Sequence, residues 1–418
     1  MWKKIKKVGI EDMAIVLPPF YLEAKDLAEA RVKVNSTSTD TEELFEKYKK
    51  LKIEKISVLY KTSLIEIATK ATWELIQRNN LRPDDVSLLL TATESALDQS
   101  KPLGTFVLGS LERDYNWRVN HIATCELKFT CAAGSYGLWL AYNSIISNPT
   151  TKVIVLCVDE AKYDLGSPSE PTQGAGAIAI LISANPSLIA LDFNNIGVFT
   201  MDTKDFYRPP GKETPITDGW YSIWCYLKCM REAFDHYCSI RVIEKQKYLE
   251  GLNYLVFHNP YGLMVRDFVS YLLIHTIRET EQWPEIVKEI GSEPVGSGVM
   301  AYEEENTRRE HAQFREKFRE LPVFKEFFKK KVLLSTIASQ QVGNLYTASL
   351  PLQLISLYTF GNLKRFDRIG FWSFGSGAGA LFFTGEVISS NKNFNLREKL
   401  ENRTRLPIEE YERWRQQH

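Results

Sequence analysis

The chain has almost nothing that would tie it to a large anionic partner, a membrane or a metal. Lys plus Arg and Asp plus Glu each number 52, a formal net charge of zero over 418 residues, so no bulk field favours nucleic acid or an anionic lipid surface. No run approaches the roughly 18 to 20 uninterrupted apolar residues that a membrane helix needs. Residues 1–18 begin with lysines and turn apolar, but Glu11 and Asp12 break what would have to be a signal-peptide core. A cytoplasmic protein is expected. Cysteine is scarce, and Cys125, Cys131, Cys157, Cys225, Cys229 and Cys238 lack Cys-x-x-Cys spacing, which speaks against a disulfide framework or a zinc site. No metal and no cofactor is expected. What remains is ordinary for a soluble globular protein, 44% hydrophobic and 25% charged, and long enough for two core-bearing units.

One pattern is stated twice. In the first half the strand-like residues 86–91 lead into Ala92-Thr93-Glu94-Ser95. Cys131-Ala132-Ala133-Gly134 then opens the helix-like residues 135–147, the buried strand 152–158 follows, and Gly174-Ala175-Gly176-Ala177 enters the strand 178–182. In the second half the strand-like residues 254–257 lead into His258-Asn259-Pro260-Tyr261, Gly343-Asn344 opens the helix-like residues 345–358, and residues 368–373 are strand-like. Gly377-Ala378-Gly379-Ala380 then enters residues 381–384. Continuous apolar runs suit strands covered on both faces, and their alternation with helical patterns predicts βαβ units with central sheets between helix layers.

The expected organisation is a first half at 1–185, a second half at 186–390 and a surface tail at 391–418. Residues 279–331 stand outside the repeat; they are dense in charge and carry a helical rhythm, which reads as a solvated helical insertion. The tail reads as a surface amphipathic helix.

Three residues suggest chemistry. A thiol at a helix start feels the positive end of the macrodipole, which favours thiolate, and the small Ala132-Ala133-Gly134 after Cys131 lets a substrate approach. Taken alone, Cys131 reads more readily as a buried structural thiol. His258 ends an apolar strand in a turn fixed by Pro260, where α/β sheets bind ligands, although a lone histidine is more often structural. Glu94 ends the equivalent strand of the first half, where desolvation raises a carboxyl toward the range useful for proton transfer; without the repeat it would read as a capping or surface acid. With the repeat, the three converge on one pocket. Gly375-Ser376-Gly377 lacks the later glycine of a dinucleotide loop and the lysine of a P-loop. It is better suited to point a backbone N–H at an acyl oxygen and to form an oxyanion hole with the N–H of Cys131.

At these residues the chain resembles the 3-hydroxy-3-methylglutaryl-CoA synthases. The matching pieces are 92–95, 125–134, Tyr163 with 170–177, Asp205-Phe206-Tyr207-Arg208-Pro209, 257–261, 343–349 and 374–377, in family order over nearly the whole chain. The resemblance implies an α/β thiolase fold, with duplicated βαβ units in a layered αβαβα core. It also implies a three-stage acyl transfer in the mevalonate pathway. Cys131 takes acetyl from acetyl-CoA, Glu94 assists removal of a methyl proton and protonation of the new alcohol, His258 polarises the acetoacetyl-CoA thioester, and water releases the product. Asp159, Tyr163, Asp205, Asn344 and Ser376 match positions that line the family's site, and a homodimer is implied.

Two departures stand out. Ala132 follows the nucleophile where the family often has Tyr, which would reshape the acyl pocket. Gly262-Leu263-Met264 occupies the place where CoA-using members usually carry a lysine for the CoA phosphates, with Arg266 a candidate substitute. The same loss is reminiscent of the related synthases that install β-branches on polyketides from acyl carrier protein thioesters. Residues 170–177 and 205–209 look more like the mevalonate enzymes. A non-catalytic thiolase-fold binding protein is the alternative of another class, and the intact Glu–Cys–His set argues against it.

Overall fold

The computed structural model describes residues 7–35, 41–295 and 304–417, so the first lysines and part of the charged insertion lie outside the described residues. The strands are β1 (Val8–Val16), β2 (Phe20–Glu23), β3 (Lys55–Val58), β4 (Val86–Ala92), β5 (Ala123–Leu127), β6 (Lys152–Ala161), β7 (Gly174–Ala184), β8 (Ile189–Thr200), β9 (Phe206–Tyr207), β10 (Ile216–Thr217), β11 (Tyr254–Phe257), β12 (Arg368–Gly375), β13 (Gly379–Val387) and β14 (Thr404–Arg405).

Nine of them form one sheet in the order β11-β12-β13-β8-β1-β7-β6-β4-β5. From the β8–β1 junction outward, the order β1-β7-β6-β4 mirrors β8-β13-β12-β11, so the duplication read from the motifs is present in the sheet. The central sheets expected between helix layers are present, and they are hydrogen-bonded to one another at the junction through two residue pairs, Gly9 with Ala190 and Ile10 with Ile189. Gly9 is glycine because a Cβ there would stand 2.0 Å from the Ile189 carbonyl oxygen. β4 runs parallel to β5 and β6, and β11 parallel to β12, whereas β7, β1, β8 and β13 are antiparallel to their neighbours.

The layers follow from side-chain alternation, since successive residues of a strand face opposite sides of the sheet. Val153, Val155 and Cys157 of β6 face a core shared with helices Ala133–Ser147 and Ser349–Phe360, while Ile154, Leu156 and Val158 face helices Leu64–Arg78 and Leu103–Tyr115. In the second half Ile369 and Phe371 of β12 face the shared core, and Trp372 and Phe374 face helices Gly219–Arg241 and Gly262–Ile277. Each half thus covers its strands on both faces. The two helices that follow Cys131 and Asn344 lie in the middle layer, which brings the ends of β4 and β11 toward a common centre.

Two segments differ from expectation. Within 279–331, helices Trp283–Ile290, Glu305–Glu320 and Pro322–Lys331 are present, but Phe314, Phe318, Phe324 and Phe328 are buried in the outer core of the second half. The charge hides an apolar stripe at helical spacing. The tail is likewise more than a surface appendage. β14 pairs with β2, and on helix Ile408–Gln417 the side chain of Tyr411 is wholly buried. Among the described residues no helix is long and apolar enough to cross a membrane.

Candidate active site

Glu94 follows the last residue of β4 in a turn held from behind by Asp159 near the end of β6. One Asp159 oxygen accepts from Thr93 Oγ1 at 2.9 Å, Glu94 N at 2.6 Å and both the N and Oγ of Ser95 at 3.0 Å. Its other oxygen accepts from Thr347 N at 3.0 Å and from the Thr347 hydroxyl. Asp159 therefore ties the acid's turn to the loop of the second half. It is fully buried, and among the described residues it is not part of the cavity surface, so it supports the site rather than lining it.

Cys131 sits one residue before Ala132, which caps helix Ala133–Ser147, and follows Thr130, whose φ of 41° is left-handed. Thr130 Oγ1 donates to the Ser376 carbonyl at 2.8 Å. Gly375 packs so closely on this turn that a Cβ would lie 2.5 Å from Thr130 Oγ1 and 2.6 Å from the Phe129 carbonyl oxygen. Ala132 is buried in the same contact and does not line the cavity, so the small residue expected to reshape the pocket instead admits the glycine turn.

Cys131 Sγ donates to Glu94 Oε1 at 2.9 Å. Burial, the Asp159 carboxylate after it, raises the Glu94 carboxyl to about 8, against the lowering effect of the thiol and of Arg208. Burial and then the Glu94 charge push the Cys131 thiol well up. This reverses the expectation from the helix macrodipole, because the dipole's partial charge is smaller than the loss of solvation combined with a carboxylate in contact. The arrangement is a thiol hydrogen-bonded to a carboxyl whose ionised form can take its proton.

His258 follows β11 and is 2% exposed. Its N–H donates to the Trp372 carbonyl at 2.8 Å, its carbonyl accepts from Tyr226 OH at 2.7 Å, and its ring lies along Phe374. Nδ1 is buried with no partner among the described residues. Burial lowers the imidazole to about 3, so the ring is neutral at physiological pH.

Cys131, Tyr163, His258, Asn344 and Ser376 line one cavity of about 430 Å³, with Phe206, Trp220, Met264, Tyr346 and Phe374 in its apolar walls. Asp205 does not line it. Its Oδ1 accepts from Thr203 Oγ1 at 2.8 Å and Gly377 N at 2.9 Å, so that turn amide is engaged. Arg266 is also absent from the cavity. Its guanidinium lies 4.9 Å from the Phe328 ring centroid, on the insertion. Arg208, beside Phe206 in the same short segment, donates to the Glu94 carbonyl. Trp220 carried no signal beyond the aspartate cap before its helix.

A thiol hydrogen-bonded to a carboxyl, with a buried histidine on the thiol's cavity and a duplicated α/β sheet behind them, is the arrangement expected of a thiolase-fold, acyl-transferring enzyme. Models of the N-terminal and C-terminal domains of hydroxymethylglutaryl-coenzyme A synthase match residues 4–187 and 189–417. The hydroxymethylglutaryl-CoA synthase of Enterococcus faecalis is 31% identical over 413 residues, 97% of this chain and 90% of that protein. The structure of MvaS in complex with 3-hydroxy-3-methylglutaryl coenzyme A matches at a TM-score of 0.76 and 28% identity, over 97% of this chain and 91% of that one. The synthase of the curacin biosynthetic pathway in complex with acetyl donor-ACP matches at 0.77 and 26%, over 98% and 88%. The chain belongs to the hydroxymethylglutaryl-CoA synthase family.

Proposed function

We propose that this enzyme condenses acetyl-CoA with acetoacetyl-CoA in the mevalonate pathway. The observation that carries the reading is the 2.9 Å contact from Cys131 Sγ to Glu94 Oε1; Cys131 lines a cavity with neutral His258, and Glu94 reaches that cavity through the thiol. Glu94 takes the thiol proton as Cys131 attacks the acetyl carbonyl, and returns it to the departing CoA thiolate. The carbonyl oxygen gathers charge between the amides of Cys131 and Ser376. Glu94, again ionised, removes a proton from the acetyl methyl group. The enolate carbon attacks the ketone of acetoacetyl-CoA, to which His258 offers an uncharged N–H, and Glu94 protonates the new alkoxide. Water then cleaves the Cys131 thioester to give a free carboxylate and the restored thiol. The CoA thioesters are substrates, and no cofactor enters the scheme.

The relatives named for CoA products support CoA as the carrier. One observation favours carrier-protein thioesters as the second reading: Arg266 is turned into the insertion, and no Lys or Arg lines the cavity among the described residues. Acetylation of Cys131 from acetyl-CoA and from acetylated carrier protein, measured side by side by mass spectrometry and followed by addition of each acetoacetyl thioester, separates them. Faster turnover with both CoA thioesters is expected. Turnover confined to the carrier-protein substrates would replace the first reading by the second.

A further inference from the structure

Tyr163, Pro168, Ser169 and Thr172 form one wall of the cavity and belong to the connection from β6 to β7. That connection is held from outside by the tail. Glu170 is fully buried and accepts from Arg31 Nε at 2.6 Å, Arg31 Nη2 at 2.7 Å and Gly166 N at 2.8 Å, while Arg31 also pairs with Glu412 on the C-terminal helix. Three residues further on, Arg415 spans the connection: Nη2 donates to the Tyr163 carbonyl at 2.6 Å, and Nη1 to the Tyr411 hydroxyl at 2.9 Å and to Gln173 Oε1 at 3.2 Å. Gln173 Nε2 donates to the same hydroxyl at 2.6 Å. One guanidinium thus joins both ends of the segment that carries the wall.

We propose that Arg415 is a positioning residue, setting Tyr163 in the wall of the thioester cavity from a helix that itself lines none of it. The proposal rests on the condensing-enzyme reading above. Arginine suits the task because its donors diverge in a fixed fork, so two elements are fixed relative to one another by one planar group, and a charged donor holds a carbonyl more firmly than a neutral one. The consequence reaches the chemistry through packing. Tyr163, Phe206 and Tyr346 form a small buried cluster against which Cys131 rests, with the Tyr163 and Tyr346 rings edge to face at 6.5 Å. A Tyr163 backbone released from Arg415 relaxes the wall that receives the acceptor thioester, leaving the Cys131–Glu94 contact in place.

The test uses the full chain with 3-fluorotyrosine at Tyr163, read by fluorine NMR beside steady-state kinetics, in Arg415→Met, Arg415→Lys and the exposed control Arg413→Met. Arg415→Met should broaden or shift the Tyr163 resonance and raise KM for the acetoacetyl thioester roughly tenfold, the range for loss of a charged hydrogen bond, with kcat changed much less. Arg415→Lys should fall between Arg415→Met and the parent, and Arg413→Met should match the parent. If Arg415→Met does not fold, Arg415→Lys is judged by the same two readouts. A parental resonance and KM in the folded Arg415 variants overturn the proposal. A parent enzyme without condensing activity overturns the reading it rests on, and the resonance alone then decides whether Arg415 positions Tyr163.

Discussion

Replacing Glu94 by glutamine should stabilise the protein, and the gain should grow with pH. Burial and the neighbouring Asp159 raise this carboxyl from 4.5 to about 8. Between those values the native state keeps a proton that the unfolded chain has released, so native stability declines as pH rises through that window. The penalty is absent below the unfolded pKa and complete above about 8. At about 1.4 kcal/mol per unit, the span sets a ceiling of roughly 5 kcal/mol. Glu94 keeps some contact with solvent, and screening brings the expected effect down to roughly 1–3 kcal/mol. Glutamine has the same shape and keeps an oxygen that can face Cys131, but it has no charge to bury. Urea unfolding of parent and Glu94→Gln at about pH 5 and about pH 9 gives the difference directly. The advantage of Glu94→Gln should be small at the lower pH and larger by that amount at the higher. A difference that is flat across pH, or that shrinks, would refute the raised pKa.

Two further outcomes follow from the nucleophile and its turn. Cys131→Ala should abolish acyl-enzyme formation, because the thioester requires that sulfur; mass spectrometry that finds acetyl on Cys125 or Cys157 would remove Cys131 from the role. Gly375→Ala should cost both thermal stability and acetylation rate, since its Cβ would sit 2.5 Å from Thr130 Oγ1 and 2.9 Å from the Ala132 Cβ. A variant with unchanged melting temperature and acetylation would show that the turn yields without moving Cys131.

The sheet and the positions of Glu94, Cys131 and His258 were legible because each depends on local pattern. Apolar runs long enough for buried strands end where a polar residue begins, and the order of those runs repeats. Residues whose place depends on what comes from far along the chain were not legible. Arg266 sits at the expected distance after the Pro260 turn, but Phe324 and Phe328, on an insertion read as solvated, draw its side chain away. The tail was read by its charge. Arg31 to Glu412 and Arg415 to Tyr163 are pairings between residues some 381 and 252 positions apart, and no periodicity within the tail encodes them. Asp159 and Asp205 matched positions in family motifs, but a motif records that a residue is required and not whether it meets the substrate or holds the backbone that does.

The duplicated architecture also places two titratable groups of opposite charge type at equivalent positions. Glu94 and His258 lie just beyond the ends of corresponding strands, each where burial strips solvent from the side chain, and loss of solvation disfavours whichever form is charged. For a carboxyl the charged form is the deprotonated one, so Glu94 rises to about 8; for an imidazole it is the protonated one, so His258 falls to about 3. One physical cause places one group close to the working pH and takes the other far below it. Proton transfer is most effective for a group whose pKa lies near the ambient pH, which favours Glu94 over His258 as the proton carrier of the proposed scheme. His258, lowered by burial, is left uncharged at neutral pH. The proposed division between acid/base and polarising residue therefore needs no difference between the two halves beyond the side chain that each places at its strand end.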